Sequence, residues 1–170
     1  MAAAQTFEVV RTYTVPSDTT TFTLSSISQS YTHLYCVTNI YNNEVGNGMD
    51  YYLQFNGNTT ANYAVTKWGG NASNTRSSNR TNAASSMQLF YTTNGSTGKA
   101  WTAGQIWIPF YTSSFTKNTH VRGGCATSEA GYSTGFFNST AAINSMTISA
   151  SSINAIGAGT TITLYGILKA

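Results

Sequence analysis

The chain has 170 residues and carries eight Lys and Arg against five Asp and Glu, a net charge of +3. Charged residues make up 8% of it, against about 25% in an ordinary soluble protein, while hydrophobic residues reach 41% and aromatic ones 13%; that excludes a disordered chain, which lacks apolar side chains and carries a high net charge. The cations Arg11, Lys67, Arg76, Arg80, Lys99, Lys117, Arg122 and Lys169 are scattered rather than clustered, so nucleic acid is not an expected partner.

No stretch approaches the roughly 20 apolar residues that cross a bilayer, so no membrane partner is expected either. Met1-Ala-Ala-Ala-Gln5 runs straight into Phe7-Glu-Val-Val10 without a basic start or a long apolar segment, and no leader is expected. The length fits one domain over 1–170, large enough to be stable without a metal or disulfide staple. Its hydrophilic surface must be built from Ser, Thr, Asn and Gln. Such a surface does little to repel neighbours and suits an assembly, a virion or an extracellular setting.

Apolar residues alternate with a period of two from end to end, and no window keeps a helical apolar spacing. Thr, Tyr, Val, Ile and Phe fill these stretches, as pleated, half-buried strands require. In chain order the predicted strands are 6–14, 20–27, 33–41, 49–55, 61–68, 87–93, 104–113, 117–126, 132–137, 143–150 and 159–168. Asn56-Gly57 between two of these runs predicts a hairpin, and Asn47-Gly48 and Asn94-Gly95 predict further turns. Gly69 to Ser86 has no aliphatic side chain larger than alanine and reads as a long loop. In Gly104-Gln-Ile-Trp-Ile-Pro-Phe-Tyr111, Ile106, Ile108 and Phe110 share one face and Trp107, Pro109 and Tyr111 the other; Pro109 predicts a sheet edge or a bulge. Together these features predict an all-β, β-sandwich, jelly-roll-like fold.

Acid-base groups are few: Glu8, Asp18, Glu44, Asp50, Glu129, His33 and His120, with no carboxylate pair at a motif spacing. His33, Cys36, His120 and Cys125 have the composition of a zinc set. Residues three or five apart on a strand point to opposite faces, so these spacings argue against a shared metal. Cys36 follows the parity of Leu34 and Ile40, as a small core residue does, and two reduced thiols are expected. No catalytic, cofactor-binding or metal-binding residue is assigned, no cofactor is expected, and the chain is read as non-enzymatic. Five Asn-X-Ser/Thr sequons, at Asn58, Asn71, Asn79, Asn94 and Asn138, are what chance supplies in this composition. Trp68, Trp101, Trp107 and the Tyr51-Tyr52 pair are candidate sugar-stacking residues, half or more of which must instead face a core.

The C-terminal Gly159-Thr-Thr-Ile-Thr-Leu-Tyr-Gly-Ile-Leu-Lys-Ala170 resembles the closing strand of small β-rich virion proteins of tailed bacteriophages. Leu53-Gln-Phe-Asn-Gly-Asn58 with Asn62-Tyr63, Asn138-Ser-Thr-Ala-Ala-Ile143 with Met146-Thr-Ile148, and Phe22-Thr-Leu-Ser-Ser-Ile27 with Tyr31-Thr-His-Leu34 are similar in the same order. The resemblance implies a virion structural protein assembled in the host cytoplasm. Its first expectation is a capsid decoration or cement protein on the outer face of the head, with the major capsid protein and copies of itself, as a homotrimer, for partners. The alternative is a tail or fibre component that binds host surface glycans.

Overall fold

The computed structural model describes residues 6–44, 49–71, 76–92, 100–125 and 129–168, and among these every regular element is a strand. In order they are β1 Phe7–Thr14, β2 Thr21–Leu24, β3 His33–Asn42, β4 Met49–Phe55, β5 Tyr63–Asn71, β6 Arg76–Ala84, β7 Met87–Thr92, β8 Ala100–Ile108, β9 Lys117–Cys125, β10 Glu129–Phe137, β11 Met146–Ala150 and β12 Thr161–Ile167. They form an eight-stranded sheet, β1-β12-β3-β8-β9-β10-β5-β6, and a four-stranded sheet, β2-β11-β4-β7; the pairings within both are antiparallel.

The chain crosses between the sheets at β1–β2, β2–β3, β3–β4, β4–β5, β6–β7, β7–β8, β10–β11 and β11–β12, and the order β1-β12-β3-β8 facing β2-β11-β4-β7 is that of an eight-stranded jelly roll. Two insertions, β5–β6 and β9–β10, extend its larger sheet at the β8 side. Between the sheets lies a core that includes Leu34, Ile40, Ile106, Val121 and Leu164 from one side and Leu24, Leu53, Phe55, Met87 and Ile148 from the other, all buried. The alternation of buried and partly buried residues, seen without interruption in β4, β11 and β12, is the period-two pattern of the sequence.

Three local expectations change. Asn56 and Gly57 do form a tight turn, both at positive φ (54° and 62°), but it joins β4 of the small sheet to β5 of the large one, so it is a corner of the sandwich and not a hairpin. Asn56 also anchors the segment before β11: its Nδ2 donates to the Ala142 carbonyl at 2.8 Å, and its Oδ1 accepts from the Asn144 and Ser145 amides at 2.8 and 3.2 Å. The predicted 69–86 loop is largely strand, the end of β5 and all of β6. β6 pairs only with β5, at the sheet edge, and residues 78–83 are exposed on both faces, so no core selects an apolar alternation there.

Pro109 marks neither an edge nor a bulge; β8 is central and ends at Ile108, just before it. Phe110 then takes a positive φ of 48°, which breaks the expected parity and leaves Phe110 exposed and Tyr111 wholly buried. The turns expected at Asn47-Gly48 and Asn94-Gly95, and the cations Lys99 and Lys169, lie outside the described residues.

Lys117 is buried to 1% exposure at the start of β9. Its ammonium donates to the carbonyls of Ser113 at 2.7 Å, Phe115 at 2.5 Å and Ser139 at 3.4 Å, one acceptor for each of its protons. Burial holds its pKa below the usual lysine value. This cage ties the β8–β9 connection to the β10–β11 connection. Lys117→Met keeps the stem and removes the charge, leaving three carbonyls short of a donor. It is expected to destabilise the protein by about 2–4 kcal/mol, measured by urea denaturation; an unchanged midpoint would show that the cage contributes nothing.

Candidate functional site

The outward face of the eight-stranded sheet is a grid of rows, because antiparallel pairing sets outward residues of neighbouring strands directly opposite one another. One row runs Tyr165, Tyr35, Trp107, His120 across β12, β3, β8 and β9. The next runs Val37, Gln105, Arg122, Tyr132, Trp68 across β3, β8, β9, β10 and β5. Beyond it lies Ala103, Gly124, Ala130, Gly70, a row with no side chain larger than methyl. Tyr41 and Trp101 then close the grid at the far end of β3 and β8.

Ring contacts tie the rows together. Tyr165 lies 6.4 Å from Tyr35, and Tyr35 lies 6.3 Å from Trp107. Trp68 covers Tyr132 at 4.6 Å, Tyr41 and Trp101 meet at 5.0 Å, and Phe7 of β1 packs on Tyr165 at 4.7 Å. The Tyr132 hydroxyl and His120 Nδ1 share a hydrogen bond of 2.7 Å, which fixes the rotamer of each. Trp68 and Trp101 remain 47% and 46% exposed, an unusual outlay of indole surface that packing alone does not require.

Two recesses open on this face. One, of about 250 Å³, is lined chiefly by Tyr35, Gln105, Trp107, His120, Arg122 and Tyr132. The other, of about 420 Å³, lies over the methyl and glycine row and is walled by Val37, Gln105 and Arg122. Gln105 and Arg122 line both, and the Arg122 Nε–H donates to Gln105 Oε1 across the boundary. Gly104, Gly123 and Gly131 of the row beneath also line the larger recess. The inward row of the same strands is Gly104, Gly123, Gly131 and Gly69, so two successive rows across β8, β9, β10 and β5 consist of glycine and alanine.

All three tryptophans named as sugar-stacking candidates stand on this face. Of the tyrosine pair, Tyr51 is fully buried between the sheets, whereas Tyr52 lies on the small sheet beside Asp50. The sequence reading missed Tyr35, Tyr132 and Tyr165, whose parity with Trp107 was available, and the glycine rows, signalled by Gly69-Gly70 and Gly123-Gly124.

The zinc composition is pulled apart, as the parities require: Cys36 and Cys125 are buried, while His33 and His120 belong to the outward face. Neither cysteine forms a disulfide, and burial pushes the Cys36 thiol up to about 12. Among the carboxylates, Glu8 accepts from the Tyr31 hydroxyl at 3.1 Å, Asp18 from the Asn43 side chain and the Ala158 amide, and Glu44 from Ser152 at 2.8 Å. Asp50 accepts from Gln88, which in turn accepts from Lys67. The side chain of Glu129 lies outside the described residues.

No protein-family model matches the chain, and no curated protein matches it. Solved structures that resemble it include a Scytalido-glutamic peptidase bound to a peptide-based transition state analogue, at 11% identity and a TM-score of 0.32, over 90% of this chain and 66% of that one. Another is the CBM2 module of an evolved Dit from Lactobacillus casei BL23 phage J-1, at 9% identity and a TM-score of 0.24, over 94% and 69%. A third is infectious bursal disease virus, Gx strain, at 14% identity and a TM-score of 0.22, over 92% and 39%. The expectation of a non-enzymatic chain is withdrawn, since a peptidase stands among these structures. At such identities and TM-scores no activity, ligand or partner passes from any of them to this chain.

His33 packs on Trp107 at 5.1 Å and on Phe110 at 4.6 Å, and its Nδ1 accepts the Phe110 amide at 3.1 Å. Accepting at Nδ1 requires the neutral ring, and burial lowers its pKa. The unfolded chain therefore takes up a proton on this residue near its ordinary value of about 6.5 while the folded chain still resists it. Stability contributed by His33 is present above about pH 6.5 and is lost as pH falls toward the lowered folded value. Melting temperature between pH 7.5 and 5.5 is expected to fall more for the native protein than for His33→Gln; an equal or smaller fall would contradict this.

Proposed function

We propose that this chain is a surface component of a bacteriophage particle and binds glycan through the outward face of its eight-stranded sheet. The observation that carries this reading is the row structure of that face. Exposed or half-exposed rings at Trp68, Tyr132, Trp107, Tyr35 and Trp101 flank a bare floor, with Gln105, Arg122 and His120 between them. Sugar rings stack their C–H faces on such platforms, and their hydroxyls pair with amide, imidazole and guanidinium groups. The resemblance of the sequence to phage virion proteins supports the setting, and glycan binding corresponds to a tail or fibre component.

A second reading, capsid decoration by a homotrimer bound to the major capsid protein, is favoured by another observation. Phe110, Phe115 and Ile153 stand 59%, 75% and 76% exposed on connecting segments, and a surface with few charges loses little on burial against a shell.

Trp68→Ala and Trp107→Ala are each expected to weaken glycan binding about tenfold, the loss of roughly 1.4 kcal/mol from one stacking platform, with thermal melting checked alongside. Particles assembled without the protein are expected to keep their heat resistance and adsorb poorly to the host. Fragile heads that adsorb normally would overturn the glycan reading in favour of decoration.

A further inference from the structure

We propose that the glycan taken up by this face is acidic, with Arg122 as the residue that pairs with its anionic group. The inference rests on the glycan reading and goes further, to the chemical class of the sugar. Arg122 stands at the shared boundary of the two recesses, so a short oligosaccharide lying in both passes over its guanidinium. Gln105 holds that guanidinium through Nε, the nitrogen that a carboxylate gripped by both terminal nitrogens does not need. Tyr132 and Trp68 continue the Arg122 row on one side, and Tyr35, Trp107 and His120 lie on the other. A sugar stacked on either platform thus brings its ring substituents over the cation.

The balance of charge on the face points the same way. Arg122 lines both recesses, and Arg80 lines a third of about 190 Å³ with Thr66, Asn118, Thr134 and Phe136 further along the same face. No described carboxylate lines any of these recesses. Glu8 is engaged by Tyr31, Asp50 belongs to the small sheet, and Asp18 and Glu44 bond connecting segments. A neutral polysaccharide would gain hydrogen bonds but no charge attraction from this one-sided arrangement, whereas a uronate, sialate, phosphate or sulfate meets cations and no repelling charge. The rings and amides supply stacking and hydroxyl recognition that a simple anion site lacks.

The experiment measures binding of the full chain to a panel of acidic oligosaccharides bearing carboxylate, phosphate or sulfate, each beside its neutral counterpart, and to oligothymidylate. At least one acidic member is expected to bind at least about tenfold more tightly than its neutral counterpart. Arg122→Gln is expected to abolish that difference while leaving the melting temperature unchanged, and Arg122→Lys to restore part of it. Which anionic group wins identifies the sugar. Equal binding of acidic and neutral members, or a preference untouched in Arg122→Gln, overturns the acidic class while the glycan reading stands. Binding to no member of the panel overturns both, as does tighter binding of oligothymidylate.

Discussion

Every strand of the larger sheet that faces the small one must bury one side of itself, and this requirement sets the register on which the surface depends. Leu34, Cys36 and Ile40 of β3, Ile106 and Ile108 of β8, Val121 of β9 and Ile162 and Leu164 of β12 all point inward and are almost fully buried. Slipping any one strand by a single residue would bring its polar set into the core and its apolar set to water. With inward residues fixed in this way, the intervening ones have no freedom of level. Tyr165, Tyr35, Trp107 and His120 come into line because their neighbours are core residues, and the line is therefore as stable as the core itself.

That dependence explains what the sequence made legible. Strands with a buried side carry the period-two signal, and eleven of the twelve were placed from it. The twelfth, β6, is an edge strand whose residues 78–83 are exposed on both sides, so nothing there demanded alternating apolar residues and Arg76–Ala84 looked like a loop. Turn chemistry was equally readable and equally local. Asn56-Gly57 specified positive φ, but a turn does not reveal whether the strand that follows pairs back or crosses to the other sheet. That choice is made by distant partners: β4 lies beside β11 and β7, and β5 beside β10 and β6.

The site was legible in the same partial way. Trp68, Trp101 and Trp107 stood out by residue type, and Tyr51-Tyr52 stood out by adjacency; adjacency in a strand guarantees opposite faces, so one of the two had to be lost to the core. What sequence could not supply is that β5 and β10, inserted far apart in the chain, bring Trp68 over Tyr132 and into the Arg122 row. Parity likewise separated His33 from Cys36 and His120 from Cys125, a result that required no tertiary information at all.

The glycine rows show why the floor and the walls of this face differ in kind. In a strand interior each glycine costs roughly 0.5–1 kcal/mol relative to alanine, so four in line across β8, β9, β10 and β5 need a reason. At the β5–β10 end that reason is close approach: a Cβ on Gly69 would lie 2.9 Å from the Ala130 carbonyl oxygen and 3.2 Å from the Gly131 Cα. Adding side chains there would force β5 away from β10 and carry Trp68 off Tyr132. The inward glycines Gly69 and Gly131 are thus a condition for the pairing that builds one wall. By contrast, Trp68, Trp101, Gln105 and Arg122 project from backbone whose pairing does not depend on what they are. The chemistry of this face can change by substitution in its walls alone, while the inward row at Gly69 and Gly131 is held by the packing of main chain against main chain.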